Sequence, residues 1–583
     1  MQTLLGVTLL AAATAAAGCD HQRSRPLVAT REGLLRGVVG RSSAGRTFYS
    51  FKGIPYARPP LGALRFQPPQ RHGVWSGVLD AMEHGSICYQ LNPLKNKTRD
   101  GSEDCLFANV YTPQLPSAEG AAGGLPVMVF IHSGGFFFGD GNSDFFGPQF
   151  LMDGGVVLVT FNYRLGPLGF FTTHDANAPG NYGLLDQVML LRWVQDNIAS
   201  FGGDPKAVTI FGESAGGSSV SLLVLSPLAK GLFHHAISQS GTSMANNAAS
   251  GRRYGLAEKL ANLVNCSTDD VSSMVDCVRA VSAYDLLGAI LILDAEQERY
   301  FLPRVDRESE SSFLPDDPRT ILETGNFNLV PWMNGVMEEE GTLLLPDLLI
   351  RKLSPDGLFA GNITLWGLMS DLATKAESPI LACGADALEQ AMKVYNFYVG
   401  NATVGFHNLL PLVRVLSDRT FIAPFSEEIR LASEHAPVYK YLLDHTGPGR
   451  QSLAPFFAPG APDFGPTHGD DLLYLFSTDE RSPVVPGSPD DRMIRFMVSV
   501  WTSFARTGRP SSDVLPMPDW PIFTSQSQRH MRLNSEPSVG ERLFEERVRF
   551  WQGVPINEPW RHAVRSECPP SAPADGAEAS PAA

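Results

Sequence analysis

Gly212-Glu213-Ser214-Ala215-Gly216 has the form G-x-S-x-G, and its central serine is the first residue with obvious chemistry to offer. A serine hydroxyl is a weak nucleophile until a base takes its proton. In this pattern the glycines permit a strained, tight turn whose flanking backbones approach closely, and the strain lifts the hydroxyl above a sheet. Five residues alone match many ordinary loops, so the context decides. Ala207-Val-Thr-Ile-Phe211 before the pattern is an apolar run of strand length, and the apolar segment after it, ending near Leu225, reads as helix. Strand, tight turn, helix is the setting a nucleophile elbow requires, and Ser214 is the candidate nucleophile for attack on an acyl carbonyl.

Such an attack creates an oxyanion, which needs backbone N–H donors commonly worth about 3–4 kcal/mol each. His132-Ser133-Gly134-Gly135-Phe136 follows another apolar strand and is a glycine-bearing loop of the kind that supplies them. Gly134 and Gly135 are assigned to the oxyanion hole, with the third N–H from Ala215. An ordinary glycine turn is the plain alternative.

The elements that must position these groups are legible in part. Val127–His132 and Val156–Phe161 are continuous apolar runs, as expected of strands covered on both faces. Tyr182–Phe201 has helical periodicity, with Leu184, Leu185, Val188, Leu191 and Val194 able to share a face. Short strands and turns are expected from Pro26 to about Pro113. Helices are expected around Arg253–Val264, Ala387–Tyr398 and Met493–Thr507. The last twenty residues, 564–583, are rich in Pro, Ala, Ser and Glu and read as a disordered tail. A chain of 583 residues would by default divide into two or three domains. No linker splits this one, so one large α/β domain over 22–563 is expected.

Composition narrows the function classes. Hydrophobic residues at 43% and charged residues at 18% mark a globular protein. A net charge of −15 disfavours nucleic acid and anionic membrane as partners, because both would repel it. Residues 1–18 form an apolar run ending in small residues (Ala15, Ala17), which reads as a signal peptide and is short for a membrane span. Gly18-Cys19 is faintly similar to a lipoprotein cleavage site but lacks the usual leucine before it. No integral membrane span is expected elsewhere. Sequons at Asn96, Asn265, Asn362 and Asn401 are candidate glycosylation sites. Seven cysteines include two close pairs, Cys88 with Cys105 and Cys266 with Cys277; as disulfides they fit an oxidising compartment, and buried free thiols are the alternative. The pairing of Cys19, Cys383 and Cys568 stays open. These features together predict a secreted protein. No metal or other cofactor is expected: the chain has no H-E-x-x-H, no P-loop and no cysteine pairs at zinc spacing.

Longer stretches carry a resemblance. Phe51-Lys-Gly-Ile-Pro-Tyr-Ala57, Glu103-Asp-Cys-Leu106, Asn162-Tyr-Arg-Leu-Gly-Pro-Leu-Gly-Phe170, Gly180-Asn-Tyr-Gly-Leu-Leu-Asp-Gln187 and Ile237-Ser-Gln-Ser-Gly241 join the serine motif. The chain resembles the type-B carboxylesterases, the family that also holds the cholinesterases, and Phe138–Phe170 is most similar to arthropod members. The resemblance implies an α/β-hydrolase fold: a large mixed, mostly parallel central sheet flanked by helices, with a small antiparallel hairpin or sheet at the N-terminus. It also implies a carboxylic-ester hydrolase acting on small-molecule esters. The residues alone do not choose among Glu338, Glu339 and Glu340, nor among thirteen histidines. The resemblance points to Glu340 as the acid and His468, in Thr467-His-Gly-Asp-Asp-Leu472, as the base. It places Ser240 beside the acid, pairs Cys88 with Cys105 and Cys266 with Cys277, and pairs Arg65 with Glu103. Val548 stands where the family's last cysteine is expected, which removes a third disulfide.

Three departures bear on function. Ser133 stands where the family usually has the first of three glycines. Leu91 falls where cholinesterases place a tryptophan for the quaternary ammonium, which argues against choline esters. Glu213 precedes the serine where insect juvenile-hormone esterases usually have glutamine. Some relatives of this family are adhesion proteins or hormone precursors that have lost catalytic residues. A non-catalytic binding protein is therefore the alternative reading, against which all three catalytic positions are kept here. Acyl and alcohol preference and oligomeric state are not written in the sequence.

Overall fold

The computed structural model describes residues 25–556 apart from 93–97, 117–122, 246–247, 250–254, 296–300, 310, 346–386, 401–408, 448–449, 461 and 479–483. Residues 1–18 and 564–583, Asn96, Asn362, Asn401, Cys19, Cys383 and Cys568 lie outside the described residues.

Among the described residues, eleven strands build the main sheet: β1 (Val38–Arg41), β2 (Thr47–Pro55), β3 (Phe107–Thr112), β4 (Leu125–Ile131), β5 (Val157–Phe161), β6 (Gly203–Glu213), β7 (His235–Gln239), β8 (Trp332–Met337), β9 (Val438–Leu443), β10 (Arg529–Leu533) and β11 (Ser538–Glu541). Their spatial order is β11-β10-β9-β8-β7-β6-β4-β5-β3-β2-β1. Every pairing from β5 through β4, β6, β7, β8 and β9 to β10 is parallel. The pairings toward the two edges are antiparallel. This is the mixed, mostly parallel sheet of the α/β-hydrolase fold. At the N-terminus Leu27–Ala29 and Leu34–Arg36 form an antiparallel hairpin, and Val78–Asp80 joins it in parallel, so that small sheet is mixed rather than purely antiparallel.

The apolar runs become strands because both sheet faces are covered. Along β4, Val127, Val129 and Ile131 enter one core, while Met128 and Phe130 enter the other. That alternation is the strand period of two. Helices α1 (Tyr182–Asn197) and α2 (Ala215–Leu225) cover the first face. Helices α3 (Leu410–Ser417) and α4 (Ala423–Ala432) belong to the same side of the core. Helix α5 (Pro489–Thr507) covers the second face with Phe496, Met497, Val500, Trp501 and Phe504. It begins four residues earlier than its apolar pattern, because the Ser488 side chain caps it by accepting from Asp491 N and Pro489 fits its first turn.

β4 and β6 pair directly, and their C-terminal ends carry the two glycine motifs. This closeness explains Gly216. A Cβ there would lie 2.0 Å from the Ile131 carbonyl oxygen, far inside contact distance. Gly216→Ala must push α2 off β4, an overpacking cost of about 1–3 kcal/mol. A thermal melt should show the variant several degrees below the parent, with activity lost in step. An unchanged melt would mean the elbow has slack the structure does not show.

Candidate active site

Ser214 sits between β6 and α2 with φ 56° and ψ −121°, a conformation rare for a residue with a side chain. The turn is held open by backbone bonds: Ser214 N donates to Gln239 O at 2.8 Å and Ser218 N donates to Ser214 O at 2.8 Å. The first of these ties the serine to the end of β7, beside Ser240.

From Ser240 a buried chain of polar groups runs on. Ser240 Oγ donates to Glu340 Oε1 at 2.6 Å, and Met337 N donates to the same oxygen at 2.7 Å. The other carboxylate oxygen, Oε2, lies 2.6 Å from His468 Nδ1. Glu340 and His468 are both buried. Of the three consecutive glutamates, Glu340 is the one that meets the histidine. Glu339 turns away to Arg414, whose Nε donates to it at 3.1 Å. The loop bearing His468 is pinned at both ends of this contact. Glu339 N donates to Pro466 O at 3.0 Å, and Asp470, itself bonded by Arg450 at 2.9 Å, accepts from Thr467 N at 3.0 Å.

His468 Nε2 points back toward the elbow. It lies 3.0 Å from Glu213 Oε1, the residue before Ser214, but neither atom makes a hydrogen bond of good geometry among the described residues. Burial opposes charge on His468, yet the Glu213 and Glu340 carboxylates outweigh it and hold the imidazole well above its usual range. Burial pushes the Glu213 carboxyl up, opposed by His468. Asp471, buried beneath them, is pushed up by burial to about 6 and accepts from Tyr441 at 3.1 Å.

The glycine loop leaves the C-terminal end of β4. Gly134 and Gly135 have φ of 107° and 61°, and a Cβ on Gly134 would sit 2.0 Å from Phe138 O. The N–H groups of Gly134, Gly135 and Ala215 have no backbone acceptor among the described residues. They are donors still to be used. Ser133 is not a silent replacement: its hydroxyl donates to Glu213 Oε2.

A recess opens beside Ser214, lined by Ser240, Gly241, Ala245, Val336, Thr420, Phe421 and Phe425 among others. Thr420 and Phe421 belong to a turn of π-helix, Asp418–Ile422, between α3 and α4. Such turns often mark functional sites, and here the Phe421 ring stands 4.6 Å from the His468 ring. Sequence reasoning missed Phe421, Thr420, Asp471 and the Glu213 contact. Asp471 stood in the histidine motif, whereas nothing in the sequence marked the π turn.

The disulfides Cys88–Cys105 and Cys266–Cys277 are both formed. Arg65 makes a two-pronged pair with Glu103 at 2.7 and 2.6 Å, and its remaining nitrogen donates to Arg279 O at 2.8 Å, linking the loop closed by the first bridge to the residues just after the second. Leu91 lies partly buried against the core and offers no aromatic face. Asn265 is exposed, with φ 61°. Among the described residues no helix is long and apolar enough to cross a membrane, and no cluster of His, Cys, Asp and Glu could hold a metal.

Comparison with known proteins agrees with this architecture. The model of the carboxylesterase family matches residues 24–551. Juvenile hormone esterase of Tribolium castaneum is 37% identical over 84% of this chain and 85% of its own length. Carboxylesterase 1E of Mus musculus is 34% identical over 94% and 97%, and the cocaine esterase of Homo sapiens is 33% identical over 92% of each chain. A sheet of this topology and a match across nearly the whole chain lead to one conclusion: the protein belongs to the carboxylesterase family and is a carboxylic-ester hydrolase.

Proposed function

We propose that the chain is a secreted serine esterase working through Ser214, His468 and Glu340 and a covalent acyl-enzyme. The observation that carries this reading is the unbroken buried relay from Ser240 through Glu340 to His468, which ends with Nε2 turned toward the strained Ser214 turn. Ser214 Oγ attacks the ester carbonyl carbon while its proton passes to His468 Nε2. The Glu340 carboxylate fixes the ring by its Nδ1 and stabilises the imidazolium. The oxyanion is received by the N–H groups of Gly134, Gly135 and Ala215. The C–O bond to the alcohol then breaks, the alcohol takes the proton from Nε2, and the acyl group stays on Ser214. Water, deprotonated by the same nitrogen, attacks the acyl carbon; the bond to Ser214 Oγ breaks, Oγ takes the proton back from Nε2, and the carboxylic acid leaves.

Secretion is supported by the leader over residues 1–18, by two disulfides, and by an exposed sequon at Asn265. Asn96, Asn265, Asn362 and Asn401 are the proposed glycosylation sites. The apolar lining contributed by Ala245, Val336, Phe421 and Phe425 favours an aliphatic acyl group. Leu91 offers nothing to a quaternary ammonium.

Hydrolysis of p-nitrophenyl esters from acetate to decanoate tests the reading. The parent enzyme should show a preference within the series. Ala245→Phe, which fills the recess, should lower kcat/KM for decanoate at least tenfold relative to acetate, since roughly 1–3 kcal/mol separates a filled from an open apolar subsite. No turnover by the folded, glycosylated protein would replace this reading with a non-catalytic binding protein.

A further inference from the structure

The residue of the glycine loop that departs from the family's usual glycine reaches a carboxylate that stands beside the base. Ser133 Oγ donates to Glu213 Oε2, and the other oxygen of that carboxylate stands 3.0 Å from His468 Nε2. Glu213 is buried, and Oε1 has no hydrogen-bonding partner of good geometry among the described residues. A carboxylate so placed has two choices, to stay against the histidine or to turn, and a hydrogen bond to its far oxygen decides between them.

We propose, resting on the triad reading above, that Ser133 is a positioning residue whose hydroxyl holds the Glu213 carboxylate against the histidine nitrogen that takes the nucleophile's proton. The oxyanion loop and the base are thereby linked through one side chain. His468 is faced by Glu340 from the turn after β8, by Glu213 from the end of β6, and by Asp471 from its own turn, with Tyr441 of β9 bonded to Asp471. The aromatic neighbour Phe421 carries no charge. Of the three carboxylates, Glu213 is the one set against Nε2. Its charge favours the imidazolium in the transition state, and it equally favours an imidazolium in the resting enzyme. Neutral His468 is the working base, so a carboxylate beside it moves the acid limb of the rate profile to higher pH. Removing the Ser133 hydroxyl makes Glu213 easier to protonate and frees it to turn. Both effects move that limb to lower pH, and the loss of support for the imidazolium lowers the plateau.

The test is the pH dependence of kcat and kcat/KM for p-nitrophenyl butyrate with the full-length enzyme and four variants: Ser133→Gly, Ser133→Thr, Glu213→Gln and the Ser133→Gly/Glu213→Gln pair. Glycine is compatible with this loop, which already turns at Gly134 and Gly135. Ser133→Gly should shift the acid limb down by up to about one unit, the size expected were the opposite charge within hydrogen-bonding reach lost outright, and lower plateau kcat several-fold with KM little changed. Ser133→Thr, which keeps the hydroxyl, should retain the parent limb. Glu213→Gln should shift the limb in the same direction, and adding Ser133→Gly to it should shift it no further. An unshifted limb in Ser133→Gly, or an equal further shift in the double variant, would overturn the proposal. Organophosphate labelling of Ser214 in the same preparations reports separately on the triad: labelling retained with no limb shift sinks the role of Ser133 alone, and labelling absent from the parent sinks the triad with it.

Discussion

Ser214→Ala should lower kcat for p-nitrophenyl acetate by about 10⁴- to 10⁶-fold, with the melting temperature unchanged. The size follows from what the hydroxyl does. In the proposed mechanism it forms the bond that divides hydrolysis into two easier steps, and Ser240, which lines the same recess, already donates to Glu340. The stability expectation follows from the backbone. Alanine would hold the same φ of 56°, so no strain is added or released, and the Ser214 side chain caps no helix whose loss would cost stability. Stopped-flow traces should lose the initial burst of p-nitrophenol together with the steady state. A residual burst of parent amplitude would show that the acyl group goes elsewhere.

Glu340→Gln should lower kcat by about 10⁴-fold while KM stays within a few-fold of the parent. The carboxylate accepts from Ser240 Oγ and Met337 N on one oxygen and faces His468 Nδ1 with the other. An amide of the same shape can present its NH₂ to Nδ1, which then becomes the acceptor and leaves the proton on Nε2. A histidine in that tautomer cannot take the serine's proton, and the imidazolium loses its balancing charge. The fold should survive, because the neighbours lose one charge-assisted hydrogen bond and no volume, a cost of about 1–3 kcal/mol. Circular dichroism and a melt separate this outcome from collapse. If Glu339→Gln were the more damaging change, the acid would have been assigned one residue too late; its carboxylate answers Arg414 instead.

How far the sequence disclosed this site depends on the range of the interaction concerned. The elbow was readable because its strand, turn and helix are contiguous, from Ala207 to Leu225, and each has its own local pattern. The buried strands were readable because apolar runs covered on both faces have few alternatives. β6 nonetheless starts at Gly203, four residues before its apolar run, since pairing with β4 extends it through Gly203 opposite Leu125. The choice among three adjacent glutamates needed family resemblance, because it turns on which side chain faces a loop more than a hundred residues away. Ser133 looked like a mere departure from a glycine motif. Its meaning lies in a contact with Glu213, eighty residues on, that no periodicity records. The π turn presenting Phe421 gave no sign, since no motif or periodicity marks its residues in the sequence. Asn96, Asn362 and Asn401 remain expectations of the sequence.

The central claim is that Ser214 is the residue that carries the acyl group. The most direct measurement is peptide mapping by mass spectrometry after reaction of the folded protein with a dialkyl fluorophosphate. The account predicts one stoichiometric adduct on the peptide containing Gly212–Gly217, appearing at the rate at which esterase activity is lost, and no adduct in Ser214→Ala. An active enzyme that stays unlabelled, or one labelled and inactivated at another serine, would contradict it.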